Sequence, residues 1–169
     1  MTIAPDTKDW TWVLERPCPE CGFDAASLTD AGIAPAVRDN AAAWRAVVTD
    51  TRRPHPQTWS PLEYACHVRD VHVLFGQRLE LMLAEDDPVF ENWDQDETAV
   101  ADRYAEQDPG RVADELEQAA ERSADAFASL DDQQWSRPGG RSNGSVFTVS
   151  SMGRYYLHDI VHHRHDVGA

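Results

Sequence analysis

Residues 59–84, WSPLEYACHVRDVHVLFGQRLELMLA, restrict the fold of this chain more than any other stretch. Ser60 is placed to N-cap a helix, Pro61 suits its first position, and Glu63 completes a capping box by reaching back to the cap. The helix so opened runs to about Ala84. Leu62, Ala65, Cys66, Val68, Val71, Val73, Leu74, Phe75, Leu79 and Leu81 to Leu83 cover most of its circumference. A helix that is apolar nearly all round belongs in the middle of a helical assembly, because a rim position would leave one of those faces in water.

Three further helices supply the surroundings. Val37, Ala41, Trp44, Val47 and Val48 recur at helical spacing from Pro35 onward, until RRPHPQ breaks the pattern. Asp108-Pro109 caps a helix whose stripe is Val112, Leu116, Ala119, Ser123, Phe127 and Leu130. Thr148 or a neighbouring serine starts the last one. An acidic, aromatic connection reaches from 85 to about 107, with at most a short helix around Ala99 to Tyr104; a connection of that length often has a job. RPGGRSNGSVF is a glycine-rich loop with a hairpin turn at Asn143-Gly144. No stretch shows convincing strand alternation. The pattern predicts an all-α fold, a four-helix bundle over residues 35–169 with one long crossover connection. Residues 1–34, with Pro5, Pro17, Pro19 and Gly22 and no sustained helical period, form an irregular arm packed on the bundle by Trp10 and Trp12.

A length of 169 residues with 41% hydrophobic content suits a single bundle domain with a proper core. The formal charge of −15 argues against nucleic acid or an anionic membrane surface as partner, since both need clustered Lys and Arg. There is no apolar run long enough to cross a bilayer and no charged start leading into a signal core, so a cytoplasmic location is expected. Cys18, Cys21 and Cys66 are too few to staple a chain of this size and read as free thiols. For Cys18-x-x-Cys21 the expectation is two reduced thiols in a tight turn, with a mixed Cys/His metal site or a reversible disulfide as the alternatives. A homodimer is compatible with the sequence and not specified by it.

The segment YYLHDIVHHRHDV, residues 155–167, carries the chemistry. On a helix, His158, His162 and His165 share one stripe at i, i+4 and i+7, and His163 points elsewhere. A His-x-x-x-His pair in a helix is more often solvated or hydrogen-bonded than a ligand set. His67, on the central helix, changes the balance: in a bundle it can face the last helix, and three imidazoles then surround one divalent ion. Burying three histidines without a metal would require three separate sets of partners. His165 is either a fourth ligand or a proton carrier at the bundle end, and a peripheral place is favoured. Asp70 and Asp159 can orient imidazoles as acceptors behind the ligands. Arg78 and Arg154 can bind a substrate carboxylate.

WSPLEYACH followed about ninety residues later by HDIVH resembles the DinB-like superfamily, over roughly residues 35–167. The resemblance implies a four-helix bundle holding a divalent metal through His67, His158 and His162. Zinc suits such a set best, and nickel, iron, cobalt and manganese can also occupy it. Relatives include mycothiol-dependent maleylpyruvate isomerase and bacterial thiol S-transferases. The activity it implies is activation of a low-molecular-weight, mycothiol-like thiol for S-transfer or thiol-assisted isomerisation, with the thiol and an electrophilic small molecule as partners. A metal-dependent hydrolase using bound water, and a metal-binding protein without turnover, are the alternatives.

Overall fold

The computed structural model describes Ile3 and residues 9–169. Four helices make the bundle: α1 (Ile33–Trp44), α2 (Pro61–Ala84), α4 (Pro109–Ala128) and α5 (Val149–Asp166), with the short α3 (Gln95–Ala101) between α2 and α4. Each start has a local cause. Ser60 accepts from the Glu63 N–H while Glu63 accepts from the Ser60 N–H, the expected capping box, and Arg53 clamps the same carboxylate. Asp108 accepts from the Arg111 N–H at the head of α4. Thr148 and Ser151 form a second capping box that opens α5.

In the bundle α1 and α2 are each flanked by α4 and α5, so the first two helices lie diagonally across the core. The segment 45–60 joins that diagonal. Trp44, Leu62, Leu79, Leu116, Tyr156 and Ile160 are fully buried between the helices, and α2 takes the central place that its apolar circumference requires. Before α1 the chain makes three single turns of 3-10 helix, Thr11–Leu14, Ala25–Ser27 and Asp30–Gly32, and packs along α5. Among the described residues no helix is long and apolar enough to cross a membrane.

A small sheet is present where no strand was expected. β1 (Val89–Phe90) pairs in parallel with β2 (Pro138–Arg141), which pairs antiparallel with β3 (Val146–Thr148). Strands of two to four residues are too short for alternation to register in a sequence. The hairpin turn does fall at Asn143-Gly144, where Gly144 takes φ +95°. The sheet fastens the 85–107 connection to the loop before α5, and Asn92 N donates to Ser142 Oγ just beyond it. Trp93 and Arg141, carried by these two segments, both line one cavity. The short helix in this connection begins at Gln95, earlier than expected, because Asp94 caps it.

Gly153 is where α5 approaches its neighbours most closely: a Cβ there would stand 2.7 Å from Ile33 Cδ1 and 3.1 Å from Phe127 Cε1. Gly153→Val should therefore destabilise the fold by about 2–3 kcal/mol in urea denaturation, the cost of overpacking a filled core. A midpoint equal to wild type would mean that the contact can open.

Candidate metal centre

The rotation of α5, set by its capping box and by the packing of Tyr156, Leu157 and Ile160, decides which histidines meet which partners. Residues one apart on a helix differ by about 100° in direction. Asp159 and His163 face α2 and meet His67; His158 and His162 face the N-terminal arm. Among the described residues two sets of side chains bring metal-ligating atoms within 4.8 Å of one another: His67, Asp159 and His163, and Cys18, Cys21, His158 and His162.

In the first set His67 Nε2 lies 3.4 Å from Asp159 Oδ1, and His163 Nε2 lies 3.6 Å from the same oxygen. The rings of His67 and His163 stand edge to face at 4.7 Å. Trp93 stacks on His67 at 5.3 Å with 7° between planes, and Trp59 covers another side. His163 Nδ1 is held by Asp166 Oδ2 at 2.9 Å, which aims Nε2 at the centre. This is the outer carboxylate that orients a ligating imidazole.

Electrostatics keep the set ready for a cation. Burial pushes the His67 imidazole down from its ordinary value, more than the nearby Asp159 pulls it up. Burial pushes the Asp159 carboxyl up, but His67, His163 and His158 outweigh this and hold it low, at about 2. Neutral imidazole beside ionised carboxylate is the protonation state that binds metals. Both nitrogens of His67 and Oδ1 of Asp159 are buried without a hydrogen-bond partner. Orphaned polar atoms of this kind are costly and rare, and a divalent ion among them would satisfy the three side chains together. The residues fit such an ion as an open set of two histidines and one carboxylate.

Asp159 and His163 line a cavity of about 670 Å³ bounded by Trp59, Arg78, Trp93 and Arg141. The Arg78 guanidinium lies over Phe75 and Phe90 and donates to the Glu91 carbonyl. Burial lowers its pKa to about 10, so it stays charged at neutral pH. Arg141 is bonded to Asn143, Ser145 and Tyr155, all neutral at that pH. Among the described residues neither arginine has an ion-pair partner.

The expected triad is thus divided. His67 meets Asp159 and His163, whereas His158 and His162 turn to the arm, because one residue of helix rotation separates the two stripes. Asp159 stands among the ligating atoms instead of behind them. His165 is exposed, its ring 6.3 Å from that of His162 and in neither set. Asp70 does not orient His67; it is held by Arg69 and by the Tyr104 hydroxyl. Arg154 donates to Asp30 Oδ1 at 2.7 Å, the Leu28 carbonyl at 2.8 Å and the Ala25 carbonyl at 3.2 Å, and it does not line the cavity. Arg78 does face the cavity. His163, which the helical stripe of His158 and His162 leaves out, belongs to the first set, and Asp159-x-x-x-His163 repeats the i, i+4 spacing of His158-x-x-x-His162 one position on.

A solved structure, YfiT from Bacillus subtilis, described as "a probable metal-dependent hydrolase with an unusual four-helix bundle topology", superposes with a TM-score of 0.68. The match covers 97% of this chain and 89% of that one at 18% identity, a likeness that establishes the bundle fold. No curated protein sequence matches the chain. Residues 37–167 match the sequence profile of the DinB superfamily, a span that runs from within α1 to the end of α5. The chain belongs to the DinB superfamily.

Proposed function

We infer that this protein is a divalent-metal-dependent enzyme that directs a small nucleophile at an anionic electrophile, with hydrolysis as the reaction. The observation that carries this reading is the convergence of His67, Asp159 and His163, with the orphaned buried atoms of His67 and Asp159, beside a cavity that holds two arginines without an ion-pair partner among the described residues. When bound, the ion supplies Lewis acidity, which lowers the pKa of a water or thiol beside it and polarises a carbonyl. Three protein ligands leave positions open for that purpose. The description of YfiT as a probable metal-dependent hydrolase supports water as the nucleophile, as does a ligand set that includes a hard carboxylate.

Asp166 holds His163 in one tautomer, and Trp59 and Trp93 keep water from the sides of His67. Arg78 and Arg141 bind and orient the carboxylate or phosphate of the substrate, each by paired N–H donors. Zinc, nickel, iron, cobalt and manganese all accept such a set. A cavity of about 670 Å³ is large enough for a second small molecule, and this favours, as a second reading, a low-molecular-weight thiol as the nucleophile in S-transfer or thiol-assisted isomerisation.

The test is a panel of carboxylate-bearing esters and amides, offered to protein reconstituted with each metal, with and without added thiol. Turnover without thiol supports hydrolysis, and turnover only with thiol supports transfer. For whichever substrate reacts, Arg78→Met and Arg141→Met should raise KM by about 10-fold or more, the worth of one charge-assisted hydrogen bond. Bound metal with no turnover under any condition would overturn the enzyme reading and leave a metal-binding protein.

A further inference from the structure

The second cluster, Cys18, Cys21, His158 and His162, takes no part in the proposed reaction. All four ligand atoms lie within 4.8 Å of one another. Cys18 Sγ stands 3.6 Å from His162 Nδ1. A tetrahedral zinc ion with Zn–S of about 2.3 Å and Zn–N of about 2.0–2.1 Å has S···N edges of roughly 3.5 Å, so this pair already spans one edge of such a site. His158 is buried, and its Nε2 has no hydrogen-bond partner. His162 turns its other nitrogen, Nε2, toward Glu20 Oε2 at 3.5 Å and Asp166 Oδ1 at 3.8 Å. Carboxylates behind the non-ligating nitrogen are what fix the ring and tautomer of a zinc-bound histidine. The loop that carries the sulfurs is itself built. Gly22 N donates to the Cys18 carbonyl at 2.9 Å, Cys18 N donates to the Phe23 carbonyl at 2.8 Å, and Gly22 takes φ +75°, a conformation that glycine adopts without strain. The turn brings the two thiols to the same side.

The structure assigns to these four residues a closed, tetrahedral Cys2His2 zinc site, separate from the His67, Asp159 and His163 centre, that clips the N-terminal arm to α5. Two thiols and two imidazoles are the donor set of a structural zinc ion, with no position left for substrate. On binding, the two thiols release their protons to solvent and the imidazoles coordinate as neutral ligands. The clip has a consequence for the cavity. Trp10, whose ring packs on those of His158 and His162 at 5.4 and 5.0 Å, and Glu20 both line the wall of the cavity. His158 and His162 line that wall too, so zinc at the clip holds one wall of the reaction chamber in place.

Cobalt substitution tests this, because thiolate ligation gives Co(II) an intense near-ultraviolet charge-transfer band that a nitrogen and oxygen set does not. Untagged protein, purified under reducing conditions and loaded with Co(II), should show the band and tetrahedral visible absorption. The zinc-loaded form should hold about two equivalents. Cys18→Ser and Cys21→Ser should lose the band and about one equivalent, whereas His67→Ala and His163→Ala should keep the band while losing the other. These arms separate failure of the clip from failure of the open centre. The bundle should survive the cysteine changes, because Arg154 anchors residues 25–30 independently. If the variants nevertheless misfold, the wild-type protein decides: Cys18 and Cys21 should resist thiol reagents until a chelator is added. No charge-transfer band in wild type, thiols that react freely with metal present, or a Cys18–Cys21 disulfide in the reduced preparation would each overturn the assignment.

Discussion

His163→Ala is expected to empty the open centre and abolish turnover. Losing only an outer carboxylate behind a ligating histidine commonly costs 10–100-fold in metal affinity, so losing the ligand itself should cost at least about 100-fold. The arrangement makes a sharper contrast available at Asp159. Asp159→Ala should lose the ion as His163→Ala does, because His67 Nε2 would then face a gap where Oδ1 stands at 3.4 Å. Asp159→His, which supplies an imidazole on the same stripe, should retain it. Isothermal titration of metal-stripped protein reads all three. If instead His158→Ala or His162→Ala removes activity and His163→Ala leaves it intact, the reactive centre lies at the arm and the division of roles proposed here is reversed.

Acid should unfold the metal-free protein, and His72 alone should account for a large part of the effect. His72 is buried, with its Nδ1 hydrogen-bonded to the Tyr156 hydroxyl, and burial pushes its pKa down from 6.5 to about 3. A histidine kept neutral in the folded state contributes stability above its unfolded value near 6.5. That stability is lost as pH falls from 6.5 toward 3, because the unfolded chain takes up the proton first. At about 1.4 kcal/mol per pKa unit the full loss approaches roughly 5 kcal/mol, against a total stability of about 5–15 kcal/mol for a domain. Burial also lowers His67, His158 and His162, so their contributions carry the same sign. Urea denaturation between pH 8 and pH 4 should show a steep fall below 6.5, and His72→Gln should make it shallower. A flat profile, or the same slope in the variant, would mean that His72 titrates normally.

The bundle was legible because its signals are local. Helical periodicity, the Ser60–Glu63 capping box and an apolar α2 are properties of neighbouring residues, and the structure has α2 beginning after Ser60 and α5 after Thr148, one of the hydroxyl residues expected to start it. The three strands left no comparable trace: their pairing joins residues near 89 to residues near 140, and two to four residues carry no period. The chemistry was legible only as a pool of residues. His67, His158, His162 and the Cys18-x-x-Cys21 pair could all be picked out, and none could be assigned a partner with certainty from spacing.

That assignment rests on one rotation. A turn of about 100° on α5 separates the 158/162 stripe from the 159/163 stripe, and both show the same i, i+4 interval. Which stripe faces α2 depends on how Tyr156, Leu157 and Ile160 pack and on where the arm lies, contacts between residues far apart in the chain. Cys18 and His162, 144 positions apart, meet through that packing alone. Residue types and local periodicity were thus sufficient for the helices and for the presence of metal-binding side chains. Their division into an open centre and an arm clip comes from tertiary packing, because coordination depends on where side chains converge in space and sequence spacing constrains that only within a single helix.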